Sequence, residues 1–133
     1  MSRAFTESYV EMPQSIFLRY GGFARVSKVV SAFYDKAIDS PLLAPYFENI
    51  DMPRLIDHQT KFIATLMGGP ASYSNEELER IHSRLDIDEN EFQEMVDLLK
   101  ETLEDFDFAD TDIAIVQSEI LSRKRFIVAR KVA

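Results

Sequence analysis

Apolar residues recur along this chain at three- and four-residue spacing, and no run of alternating β-branched residues stands between hairpin turn signals. The pattern predicts helices and no sheet. A short helix is expected over Ser15–Tyr20, closed by Gly21-Gly22, where the backbone can reverse sharply. Phe23, Val26, Val30, Phe33, Tyr34 and Ala37 then form one stripe of a helix that ends at Ser40-Pro41. Asp51 is placed to cap the next helix, and Pro53 falls in its first turn, where a missing donor costs nothing. Its inward face carries Leu55, Ile56, Phe62, Ile63 and Leu66, with the polar Gln59 in the middle of that stripe, and Gly68-Gly69-Pro70 stops it. Ser74 to Glu77 reads as a capping box that opens a helix with Leu78, Ile81, His82 and Leu85 inward. Asp88 to Glu91 repeats the signature ahead of Phe92, Met95, Val96, Leu99, Leu103 and Phe106. One last helix from about Thr111 turns Ile113, Val116, Ile120 and Ile127 inward. The fold class is all-α, with an N-terminal extension over 1–14 and one domain over 15–133.

Composition narrows the functions open to such a fold. The 133 residues, 46% of them hydrophobic, suffice for one core. The absence of cysteine excludes disulfides, zinc–thiolate sites, iron–sulfur clusters and haem attachment through thioethers. Net charge is −8, yet the last eleven residues hold five bases and no acid, leaving 10 bases against 23 acids in residues 1–122. A body this acidic repels phosphate backbones and anionic lipid, so no nucleic-acid or membrane partner is expected. The basic end reads as cations complementing a helix C-terminus. No stretch approaches ~18 apolar residues and the start lacks a signal-peptide layout, so a soluble, cytoplasmic protein is the expectation.

Only two histidines occur, His58 and His82, on successive helices. His82 shares an apolar face with Leu78, Ile81 and Leu85. An imidazole there is either a core residue satisfied by a hydrogen bond or a ligand to a metal or cofactor. Gln59 and Tyr34 aim two further polar groups inward from two other helices, and a buried phenol needs a partner. Phe33, Phe47, Phe62, Leu55 and Leu66 supply an apolar shell. An apolar hollow with one imidazole and two donors opposite it suits a haem iron that takes a polar diatomic gas. The chain has no Gly-rich phosphate loop, no H-E-x-x-H and no Ser–His–Asp order, and its acid clusters lack the EF-hand pattern.

In order and spacing, Gly21-Gly22, Phe33-Tyr34, Tyr46-Phe47, Asp51-Met52, His58-Gln59, Phe62, Gly68-Gly69-Pro70, Tyr73 and Ile81-His82 resemble the truncated haemoglobins, group I above all. The resemblance spans about residues 15–128 and implies a two-over-two helical sandwich around a haem pocket. Asn75 stands where the family usually has glycine, and Asn is the best non-glycine substitute for a left-handed backbone.

Residue by residue, the resemblance implies haem b (iron protoporphyrin IX) with His82 as the proximal, axial ligand to the metal. It implies packing of the cofactor against Phe47, Leu55, Phe62 and Leu78, with Arg54, Lys61 and Arg84 as the cations available to its propionates. Tyr34 and Gln59 become hydrogen-bond donors to bound O2, with NO and CO as further small ligands. Leu55 takes the place of the distal histidine of ordinary globins. His58 falls at a site that supplies a second axial ligand in some cyanobacterial members. Donors favour O2 over CO because bound O2 carries negative charge on its outer oxygen, and each such bond contributes roughly 1.5–3 kcal/mol. The expected function is reversible O2 binding for storage or scavenging, or nitric oxide dioxygenation served by an external reductase. The alternatives are a bis-histidyl, six-coordinate haem protein for redox or peroxide chemistry and a haem-free, acidic helical interaction module.

Overall fold

Short polar side chains that accept from orphan amides begin three of the helices, as the sequence pattern requires. The computed structural model describes residues 14–70, Ser74, Glu76, Glu79, His82 and 85–128. The Ser15 hydroxyl accepts from the Leu18 N–H and opens α1 (Ile16–Arg19). Helix α2 (Gly22–Asp39) follows Gly21, whose φ of 105° only glycine adopts readily. A 3₁₀ turn, Ala44–Phe47, leads to Asp51, whose carboxylate accepts from the Arg54 N–H and starts α3 (Met52–Leu66). Asp88 and Glu91 form a reciprocal capping box at the start of α4 (Glu89–Asp105). Helices α5 (Asp110–Leu121) and α6 (Lys124–Ile127) complete the described chain.

Helix α2 packs along α3 and against α4, and α4 packs against α5. Between these pairs lies the core, with Val26, Val29, Val30, Ala64, Phe92, Leu103 and Val116 almost fully enclosed. No described helix is long and apolar enough to cross a membrane.

Two expectations need amendment. The final helix is two: Ser122 and Arg123 interrupt it, and the Ser122 hydroxyl and the Arg123 guanidinium both donate to the Glu119 carbonyl, at 2.8 Å each. Phe23, counted on the buried stripe, is 42% exposed, and its ring meets the edge of Phe17 at 4.8 Å. The helix opened at Ser74 is described only through helical Glu76, Glu79 and His82, and Glu77 of its capping box lies outside the described residues. So do residues 1–13, Tyr73, Asn75 and the bases Arg130 and Lys131.

Helix α5 begins at Ala109, which has no side chain able to cap. The cap comes from the far end of the chain. Ala109 N–H donates to the Tyr20 hydroxyl oxygen at 3.0 Å, and that hydroxyl donates to Asp112 at 2.7 Å. Arg19 grips the same carboxylate with both terminal nitrogens, at 2.7 and 3.0 Å, while the Tyr20 ring stacks on Phe108 at 3.8 Å. Asp112 also lies in the first turn of α5, where the macrodipole favours negative charge.

Hydrogen bonding to Arg19, then to Tyr20, holds the Asp112 carboxyl below the usual carboxylate range. A depressed folded-state value makes this contribution complete above the unfolded value near 4 and removes it as pH falls through the folded value. Asp112→Asn should therefore cost about 1–2 kcal/mol at pH 7, discounted for the half-exposed guanidinium, with the gap to wild type closing towards pH 3. Urea unfolding at both pH values measures it, and an undiminished gap in acid would contradict the assignment. Gly69 gives a second check. A Cβ there would stand 2.9 Å from the Ala64 carbonyl oxygen and from the Phe17 ring, so Gly69→Ala should lose about 1–3 kcal/mol.

Candidate functional site

A cavity of about 300 Å³ opens between α2, α3, α4 and the segment that carries His82. Each wall follows from a local sequence feature. The stripe of α2 sends in Val30, Phe33 and Tyr34, and the 3₁₀ turn, entered through Pro45, presents Tyr46 and Phe47. Helix α3 contributes Leu55, Gln59, Phe62 and Ile63, which lie on one face at helical spacing. Helix α4 closes the back with Phe92, Met95, Val96 and Leu99. The aromatic rings brace one another, with Phe33 edge-on to Tyr34 at 4.9 Å and Tyr34 edge-on to Phe47 at 5.5 Å.

Tyr34, Gln59 and His82, which come from three separate elements, all line this one space. Tyr34 is only 8% exposed, and burial drives its hydroxyl well above the usual tyrosine range. It therefore stays a protonated donor at any ordinary pH. No described residue hydrogen-bonds the Tyr34 hydroxyl or the Gln59 amide, and no described side chain seals a polar atom away without a partner. Both groups are thus presented to the cavity rather than spent within the protein. His82 is half-buried and helical, and its carbonyl accepts from the Leu85 N–H at 3.0 Å.

The other expected site residues divide. Phe47, Leu55 and Phe62 line the cavity, while Leu66 is buried behind the wall. Arg54 and Lys61 are exposed on α3 and are not among the lining residues, and Lys61 pairs with Asp57 at 3.3 Å. His58 is likewise exposed and off the lining, one position before Gln59. Leu78 and Arg84 lie outside the described residues. Among the lining residues that the sequence reading did not assign to the site is Glu91, the one carboxylate among the described residues that enclose the space. Its place in the capping box was the only available signal.

The donor set bears on what the cavity can hold. No three or more of His, Cys, Asp and Glu cluster to bind a metal ion among the described residues. A lone imidazole secures a metal only when the metal arrives with most of its own ligands, as iron does in porphyrin. An apolar cavity walled by Phe47, Leu55 and Phe62 suits a flat, greasy macrocycle.

Comparison with known proteins identifies the family and the fold. The profile of the bacterial-like globins matches residues 15–126. A group 1 truncated hemoglobin of Tetrahymena pyriformis is 28% identical over 101 residues, covering 76% of this chain and 84% of that protein. The structure of THB1 from Chlamydomonas reinhardtii superposes with a TM-score of 0.74 at 30% identity, over 87% of this chain and 98% of that one. The 2/2 hemoglobin from Synechococcus sp. PCC 7002, in a cyanomet crystal structure with covalently attached heme, superposes with a TM-score of 0.81 at 22% identity over 88% of this chain and 100% of that one. The chain belongs to the bacterial-like globin family and has the two-over-two fold of a group I truncated globin.

Proposed function

We propose that this globin holds haem b through His82 and retains O2 by hydrogen bonds from Tyr34 and Gln59. Haem and small gaseous ligands go with the family itself, and haem b is the form this reading adopts, since a chain without cysteine offers no thioether link. Bound haem supplies an iron whose open face accepts a diatomic gas. Every other element of the reading belongs to the protein.

The observation that carries it is the pair of donors without described protein partners, Tyr34 and Gln59, facing the same apolar cavity as His82. In such surroundings a donor interacts more strongly than in water, because the local dielectric is low. Tyr34 is the stronger member: its burial holds the proton on the hydroxyl, and its ring is fixed between Phe33 and Phe47. Gln59 sits on α3, one turn beyond the apolar Leu55. Phe47, Leu55 and Phe62 keep water from competing for those donors.

The reading leaves His58 in solvent, so one imidazole holds the iron. NO and CO are further ligands of the same pocket. An external reductase is the partner that the reading adds, because the chain carries no flavin or nicotinamide motif.

Reconstitution with haem should give one equivalent bound and a Soret band that His82→Ala loses while the helical circular dichroism stays. A colourless wild type would end the proposal. Sharp low-spin bands in the ligand-free ferrous spectrum would place His58 on the iron together with His82. Tyr34→Phe and Gln59→Leu should each speed O2 dissociation by roughly ten-fold or more, from about 1.5–3 kcal/mol per bond, with CO dissociation nearly unchanged. Equal acceleration of both gases would point to a loosened pocket rather than lost donors. Because the Tyr34 hydroxyl titrates far above neutrality, wild-type O2 dissociation should be flat between pH 6 and pH 9 by stopped flow.

A further inference from the structure

Glu91 is the one described carboxylate in a mostly apolar enclosure. It is the third residue of α4, and its side chain turns back to accept from the Asp88 N–H at 2.9 Å. The same oxygen accepts from the Tyr46 hydroxyl at 2.6 Å, the length of a strong, charge-assisted bond. Tyr46 immediately precedes Phe47, and its hydroxyl also lies 3.4 Å from the Asp86 carbonyl, in the turn that follows His82 and Leu85. A single phenol thus joins the wall that presents Phe47 to the two segments that flank it, and a carboxylate is fixed on the rim of the cavity by that junction.

On the haem reading above, we propose that Glu91 is an electrostatic positioning residue that lowers the iron's reduction potential, with Tyr46 holding its carboxylate in place. The cause is Coulombic. Ferric haem carries one more positive charge than ferrous haem, and a fixed negative charge on the cavity wall stabilises the ferric form in excess. Apolar neighbours such as Ile87, Phe92 and Met95, which line the same stretch of wall, limit the screening. The sign does not depend on any cation nearby, because neutralising Glu91 removes one negative charge and leaves the rest of the protein's charge where it is. The bias favours release of an electron from the iron, which conversion of a bound gas needs and simple carriage does not.

The test separates charge from architecture. Glu91→Gln keeps an oxygen for both the Asp88 N–H and the Tyr46 hydroxyl, and glutamine serves at this position of a capping box. Tyr46→Phe does the reverse: it keeps the charge and removes the junction. Spectroelectrochemical titration of the haem-loaded proteins at neutral pH should show the ferric-to-ferrous equilibrium of Glu91→Gln moved about ten-fold towards ferrous, a rise of about 59 mV for one electron. Tyr46→Phe should hold or lower the potential. An unmoved potential in Glu91→Gln overturns the proposal, and so does an equal rise in both variants, which a merely structural junction would produce. Failure of the wild type to take up haem refutes the earlier reading instead, and is seen before either variant is made.

Discussion

A hydrogen-bonding group facing an apolar enclosure is the constraint around which this molecule is arranged. A donor turned into an apolar hollow forgoes much of the hydrogen bonding that water would give it, and a fold optimised for stability alone would have no reason to aim Tyr34 and Gln59 at the same space as His82. The surrounding packing tolerates that arrangement because it is strong elsewhere. Val26, Val29, Val30 and Ala37 seat α2 against its neighbours, and the aromatic rings of Phe33 and Phe47 hold the Tyr34 ring from two sides. The cavity stays open because its walls are braced against one another rather than collapsed together.

That same bracing explains the two kinds of polar network in the structure. At the cavity rim, Tyr46 and Glu91 tie the 3₁₀ turn to the start of α4. Outside the cavity lining, Arg19, Tyr20 and Asp112 tie α1 to the start of α5. In each case a tyrosine hydroxyl meets an acidic residue in the first turn of a helix. The helix terminus offers partial positive charge, the carboxylate complements it, and the phenol fastens a distant segment to both.

Much of this was legible in the chain because the governing interactions are local. Ser15, Asp51 and Asp88 announce their helices since a cap needs only residues three positions apart. Tyr34, Gln59 and His82 stood out because each breaks an apolar stripe and has no explanation within its own helix. Residues with an adequate local explanation hid their tertiary roles. Glu91 already completed a capping box, and Asp112 already suited a helix N-terminus, so nothing nearby required Tyr46 or Arg19 to find them. Conversely, the apolar stripe runs in phase from Ile113 to Ile127, which concealed the interruption at Ser122 and Arg123. Phe23 extended a stripe past the point where neighbouring elements remain to cover it.

The Tyr20 cap on α5 also carries a consequence for synthesis. Its two halves stand 89 residues apart, so α1 cannot gain this tie until the ribosome has released the chain through Ala109. Through that interval Tyr20 lacks Phe108 and Ala109, and a nascent chain stalled short of Ala109 would leave its ring and hydroxyl without them. Domains tend to fold as units during translation. Here that tie closes late, with Tyr20 waiting on Ala109 and Asp112.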